Sequence, residues 1–176
     1  MVIIKSFIVR PGVIITDLEE TSVNPKKYFI DLDDKGELSK IADMLDPYYI
    51  NGAILIQYCG EMILGFKHWD LVDQLWSYLI DMVDELLISG KSSTLFPDQP
   101  LKIEFVNRSS DSMLLRCDQD QWILPKIEFL STLLKSGRYF FETLASLFIM
   151  NGNDYCNEVK KIDKIEKHLL KITKHD

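Results

Sequence analysis

The side chains in this sequence that could carry chemistry are few and widely spaced. There are three histidines, His68, His168 and His175, and three cysteines, Cys59, Cys117 and Cys156. His68 precedes Trp69 and Asp70, and a histidine oriented by a carboxylate is the minimum for general-base work. Alone at a hairpin-to-helix junction, it reads better as a polar cap than as a catalyst. His168 and His175 fall in a lysine-rich tail and read as solvated. The cysteines show no CxxC spacing, and no HxH or HExxH occurs, so neither a metal site nor a cofactor is expected. Thiols that are odd in number and far apart fit burial in a reducing compartment rather than a disulfide framework. GxSxG, GxxxxGK[ST] and GxGxxG are all missing, which removes a nucleophile elbow and the glycine phosphate cradles from consideration.

Carboxylates offer two constellations. Asp31-x-Asp33-x-Lys35-Gly36 begins like an EF-hand calcium loop. That chemistry needs an oxygen ligand at position five and a bidentate glutamate at position twelve. Lys35 and Ala42 stand there instead, so the stretch reads as a turn. The second set is Asp70 and Asp73, then Asp81, Asp84 and Glu85. Paired carboxylates run glycosidic and aspartyl chemistry, but on an amphipathic helix such acids form the wet face. Aromatic residues complete the inventory. Trp76 and Tyr139-Phe140-Phe141 sit in apolar helical stretches and read as core. Tyr48, Tyr49, Trp69 and Trp122 flank turns, where a ring beside acids either anchors a partner or plugs the end of a core. The candidate binding surface is therefore Trp69, Asp70, Asp73, Asp81, Asp84 and Glu85, with Tyr48, Tyr49 and Trp122.

These residues hang on one stretch, Trp69 to Gly90. Val72, Leu75, Trp76, Leu79, Val83, Leu86 and Leu87 recur at three- and four-residue steps, the period of an amphipathic helix. Asp70 and Asp73 fall in its expected first turn, facing the positive end of the dipole, and Gly90 supplies a left-handed cap. Before it, Val2 to Val9 is β-branched and ends at Pro11-Gly12, with Val13 to Leu18 as a candidate partner strand. Tyr28 to Leu32 reads as a short strand, and Leu38, Ile41, Met44 and Leu45 mark an amphipathic turn or two that Pro47 stops. Ala53 to Tyr58 and Met62 to Phe66 form a hairpin across Gly60-Glu61. After the helix, Lys91 to Pro100 reads as a loop. Leu101 to Val106, Ser112 to Cys117 and Trp122 to Leu124 then make a meander with one wet face. Pro125 opens a helix that Gly137 interrupts, and an apolar helix from Arg138 runs to Asn151-Gly152-Asn153. A lysine-rich amphipathic helix follows from about Asp154. The expected fold is a single α+β domain over residues 1–176. An antiparallel sheet of about five to seven strands packs against three substantial helices.

Composition narrows the function classes. The chain has 176 residues, 47% of them hydrophobic and 27% charged, with a net charge of −7. Such a balance suits a folded domain and disfavours wholesale binding to nucleic acid or anionic membranes. The N-terminus, broken by Lys5 and Arg10, has no signal-peptide core, and no run approaches membrane-span length. The chain reads as cytoplasmic. Its size, acidic balance and lack of catalytic signatures are similar in type to bacterial immunity proteins, which block a toxin by binding it. The resemblance carries no individual residues. Three functions are expected in order: a non-enzymatic protein that binds a partner with a basic surface, a small-molecule binder or enzyme with a scattered site, and a homo-oligomeric subunit joined through its final helix.

Overall fold

Val2, Ile4, Ser6 and Ile8 turn to the interior while Ile3 and Lys5 face out, so Val2–Val9 forms a strand with two distinct faces (β1). The computed structural model describes residues 1–148 and 155–172. In the first sheet, β1 lies between β2 (Phe29–Asp31) and β3 (Asn51–Tyr58), and β3 pairs further with β4 (Glu61–Leu64) and β5 (Asp70–Leu71). Every pairing is antiparallel. The second sheet is a four-strand meander of β6 (Lys91–Leu95), β7 (Lys102–Asn107), β8 (Ser112–Cys117) and β9 (Asp120–Pro125). The fold is α+β, as expected, but its strands divide between two sheets of five and four.

Helices α1 (Leu18–Val23), α2 (Pro25–Tyr28) and α3 (Lys35–Ile41) are short; α4 (Val72–Ser89), α5 (Lys126–Leu147) and α6 (Cys156–Ile172) are long. The apolar stripe of α4 is buried from Val72 to Leu86, and Gly90 closes it at φ +80. One continuous core joins β1 and β3, α4, α5, α6 and the inner face of the second sheet. The Trp76 indole N–H reaches Ser6 Oγ on β1 at 3.0 Å, which satisfies a polar atom in the core centre. Phe129 of α5 meets Phe105 of β7 edge to face at 5.6 Å. Helix α5 also closes over β1: Glu128 accepts the Val2 amide at 2.8 Å, and the Ser136 hydroxyl donates to the Ile4 carbonyl. A smaller aromatic cluster of Phe7, Tyr28, Phe29, Phe66 and Trp69 covers part of the other face of the first sheet.

Several local readings are corrected. Val13 to Leu18 is not a strand; Asp17 caps α1 by accepting the Glu19 and Glu20 amides. The carboxylate outcompetes strand pairing, and β1 takes β2 and β3 as neighbours instead. Lys91 to Pro100 is not all loop, because Lys91–Leu95 pairs along β7. Gly137 does not interrupt a helix: α5 runs straight through it. A Cβ there would lie 3.1 Å from the Trp76 ring, so the missing side chain lets α5 seat closely on α4. Pro125 is the N-cap residue of α5 rather than part of its first turn. Tyr139 is 41% exposed, with Lys35 Nζ 4.5 Å from its ring centre, while Phe140 and Phe141 are buried. The calcium-like acids Asp31 and Asp33 both pair with Lys5, at 3.2 and 3.4 Å. The expected stop at Asn151-Gly152-Asn153, Asp154 and His175 lie outside the described residues.

Candidate functional site

The nine residues singled out from the sequence do not form one surface. Tyr48 and Tyr49 are exposed in a turn after α3, at 66% and 64%. Trp69 is half-buried against the small aromatic cluster rather than presented to solvent, and its indole N–H has no partner among the described residues.

Asp70 is a larger correction. It precedes the helix, in β5, and is 2% exposed. Its carboxylate accepts the Leu71 amide at 2.7 Å, the Asp98 amide at 3.0 Å and the Gln99 amide at 3.0 Å. The Gln99 side chain returns the contact by donating to the Trp69 carbonyl, and to that of Lys67 at 3.4 Å. Pro97 and Pro100 cannot donate, so the two non-proline residues between them supply the amides that a buried carboxylate requires. Asp70 thus latches the β6–β7 loop of the second sheet to the β5 strand of the first.

Asp73 is also drawn inward. Burial raises its carboxyl above the ordinary value of 3.8, backbone amides oppose that rise, and one of its oxygens is buried without a partner. Neither acid belongs to a wet face. Asp81, Asp84 and Glu85, two turns further along, do: Asp81 pairs with Lys161 of α6, and Glu85 stands exposed.

The molecule does bring acids and an aromatic together elsewhere. A groove of about 400 Å³ opens where α1, β4 and the β8–β9 turn converge. Glu19, Lys67, His68, Asp118, Asp120 and Trp122 line it. The turn is tight: Cys117 pairs with Asp120, leaving Asp118 at φ +52, a conformation aspartate tolerates better than most residues. Trp122 is held at the rim by its indole N–H, which donates to Glu61 at the start of β4 at 2.7 Å. Gln99, fixed by the Asp70 latch, lines the same groove.

His68 sits in this groove as a cap. Its Nδ1 accepts the Gly65 amide at 2.9 Å, so the neutral ring carries its proton on Nε2 and acts there as a donor. Burial, then Lys67, pushes its pKa below 6.5. Burial also pushes the Cys117 thiol up to about 11, which leaves almost no thiolate at neutral pH. No group of three or more potential metal ligands converges among the described residues.

Of this groove, sequence reading singled out Trp122 as a surface residue and His68 as a cap. It missed Glu19, Asp118 and Asp120. The available signal was Asp118-Gln119-Asp120 two residues before Trp122, a tight acidic turn that places a ring near two carboxylates. Comparisons with protein-family models, with curated proteins and with solved structures gave no match to this chain. Among the described residues, no helix is long and apolar enough to cross a membrane.

Proposed function

We propose that this chain is a protein-binding module whose groove receives a basic segment of a partner protein. One observation carries the reading: three carboxylates, Glu19, Asp118 and Asp120, face a single cation, Lys67, around a rim formed by Trp122. Burial, then Lys67, holds His68 toward its neutral form. A negative concavity focuses field lines and accelerates the arrival of a cationic surface. Trp122, already held by Glu61, offers a pre-positioned ring for an arginine or lysine stem. The same reading accommodates a cytoplasmic immunity-type inhibitor, for which the basic partner is a toxin.

The groove is less suited to catalysis. A base would need a free, unprotonated nitrogen on His68, and the Gly65 amide occupies the one that lacks the proton. A nucleophile would need a thiolate at Cys117, which burial suppresses. A second reading, a small cationic ligand in place of a protein segment, is favoured by the volume of the groove, which lies in the small-molecule range.

Affinity capture of the tagged chain from its native lysate, beside an Asp118→Asn/Asp120→Asn variant that removes both charges and suits the positive φ of residue 118, tests both. A basic protein retained by the wild type, released at high salt and lost by the variant is the expected result. Equal retention by both chains overturns the groove as the site. Empty beads from both overturn the protein-partner reading and leave the small cationic ligand.

A further inference from the structure

The geometry points to a self-complementary charged face on α4 and α6, through which two copies of this chain pair about a two-fold axis. This face is separate from the groove. On α4, Asp81, Glu85 and Ile88 follow one another at helical spacing and are all exposed, with Ile88 at 73%. On α6, Lys160, Lys164, Lys167 and Lys171 recur at i, i+4, i+7 and i+11 and are exposed. Asp84 lies between the rows, lining one hollow of about 520 Å³ together with those lysines and His168.

The two rows are neighbours because the apolar face of α6, Ile162, Ile165 and Leu169, is buried in the core beside α4. Within one chain α6 already reaches the acidic row once, through Lys161, which stands beside the basic row and pairs with Asp81. Other α6 acids are spent internally: Arg138 of α5 holds Asp163 at 2.6 Å and Glu166 at 2.8 Å. Lys164, Lys167 and Lys171 on one side, and Asp84 and Glu85 on the other, have no ion-pair partner among the described residues.

An acidic row beside a basic row on one surface is what a two-fold interface requires. Rotation by half a turn lays the α4 row of one copy on the α6 row of the next, and the reciprocal seam forms at once. A second copy is the occupant favoured by this charge complementarity. A nucleic-acid strand is not, since Asp81, Asp84 and Glu85 stand directly beside the lysines and would repel its phosphates. A membrane is not, since the apolar face of α6 is already used. The net charge of −7 per copy opposes association only at long range. At about 0.15 M salt the screening length is about 8 Å, so the distant acids are muted while the seams are not.

The test is light scattering of the full chain during size exclusion, at about 0.15 M and about 1 M salt, where screening shortens to about 3 Å. Two charge-reversed chains accompany it, Asp84→Lys/Glu85→Lys and Lys164→Glu/Lys167→Glu, with circular dichroism and melting confirming that each folds. The expected wild-type mass at the lower salt is twice 20.4 kDa, falling to one chain at the higher. Each reversed chain alone is expected to be monomeric, because both of its seams are like-charged. An equimolar mixture of the two is expected to return to the dimer mass, because both seams become complementary again. A wild type that is monomeric at both salts overturns the proposal. So does a dimer that survives both reversals, and so do monomeric variants whose mixture stays monomeric.

Discussion

At the start of α4, Asp70 and Asp73 are folded into the body of the protein; near its end, Asp81, Asp84 and Glu85 stand at the surface. The five acids belong to one short stretch and look alike in sequence. Their fates differ because of what arrives beside each. The β6–β7 loop brings two backbone amides to Asp70, so a buried carboxylate there is satisfied and holds two sheets together. Asp73 receives less, keeps a partnerless oxygen, and is held partly against its charge. At the other end α6 brings lysines, in water, where an ion pair contributes little to stability but much to the choice of neighbour. A carboxylate on an amphipathic helix therefore acts as a structural clasp or as a surface label according to its distant neighbours.

Four variants sharpen this contrast, and their expected effects fall off along the helix. Asp70→Ala orphans the Leu71, Asp98 and Gln99 amides. It should cost about 3 kcal/mol in chemical denaturation and speed hydrogen exchange in residues 97–100. It should also loosen Gln99 at the groove, weakening partner retention without altering groove charge. If stability is unchanged, the latch is not what joins the sheets. Asp73→Asn removes a charge that burial disfavours and should add about 1 kcal/mol at neutral pH. The sign follows from the raised pKa of Asp73: its contribution is complete below 3.8 and is lost as pH rises through the folded value. The wild type should thus lose stability over that rise relative to the asparagine variant, and the two should converge in acid. Parallel pH profiles for the two chains would contradict the buried placement. Asp81→Asn breaks an exposed pair with Lys161 and should cost under about 0.5 kcal/mol, an effect erased by high salt. Measured at about 1 M salt, where the proposed pair is apart and the α6 lysines are screened, Asp84→Lys/Glu85→Lys should move the thermal midpoint least of the four, since neither acid has an ion-pair partner within the chain among the described residues; a marked drop under those conditions would show a clasp at this end too.

Periodicity made α4 legible from Val72 to Gly90, because every turn buries the same stripe. It also made a hairpin from β3 to β4 and the alternating strand β7 legible, although the turn falls at Cys59-Gly60 and not at Gly60-Glu61: Glu61 already pairs with Tyr58, and Cys59 and Gly60 take the positive φ values. The start of α4 was not, since Asp70 is claimed by amides some thirty residues away and Leu71 by a bridge to Asn51. Gly137 read as a break because sequence shows only helix propensity, whereas the residue is retained for its contact with Trp76. The groove was hidden for the same kind of reason. Glu19, Asp118 and Asp120 belong to separate turns, and only the approach of α1 to the β8–β9 corner assembles them.

The cover that α5 places over β1 has a consequence for the chain as it is made. The Val2 amide and the Ile4 carbonyl are bonded to Glu128 and Ser136, so the part of the first sheet's inner face that α4 leaves open stays uncovered until the chain has been extended past residue 136. At about 5–20 residues per second, that delay is roughly ten seconds after β1 leaves the ribosome. During it the nascent chain presents an oily sheet face and a half-built core to its surroundings. Synthesis at high levels should make this protein a client of holding chaperones, and truncation within α5 should send it to aggregates rather than leave it partly folded.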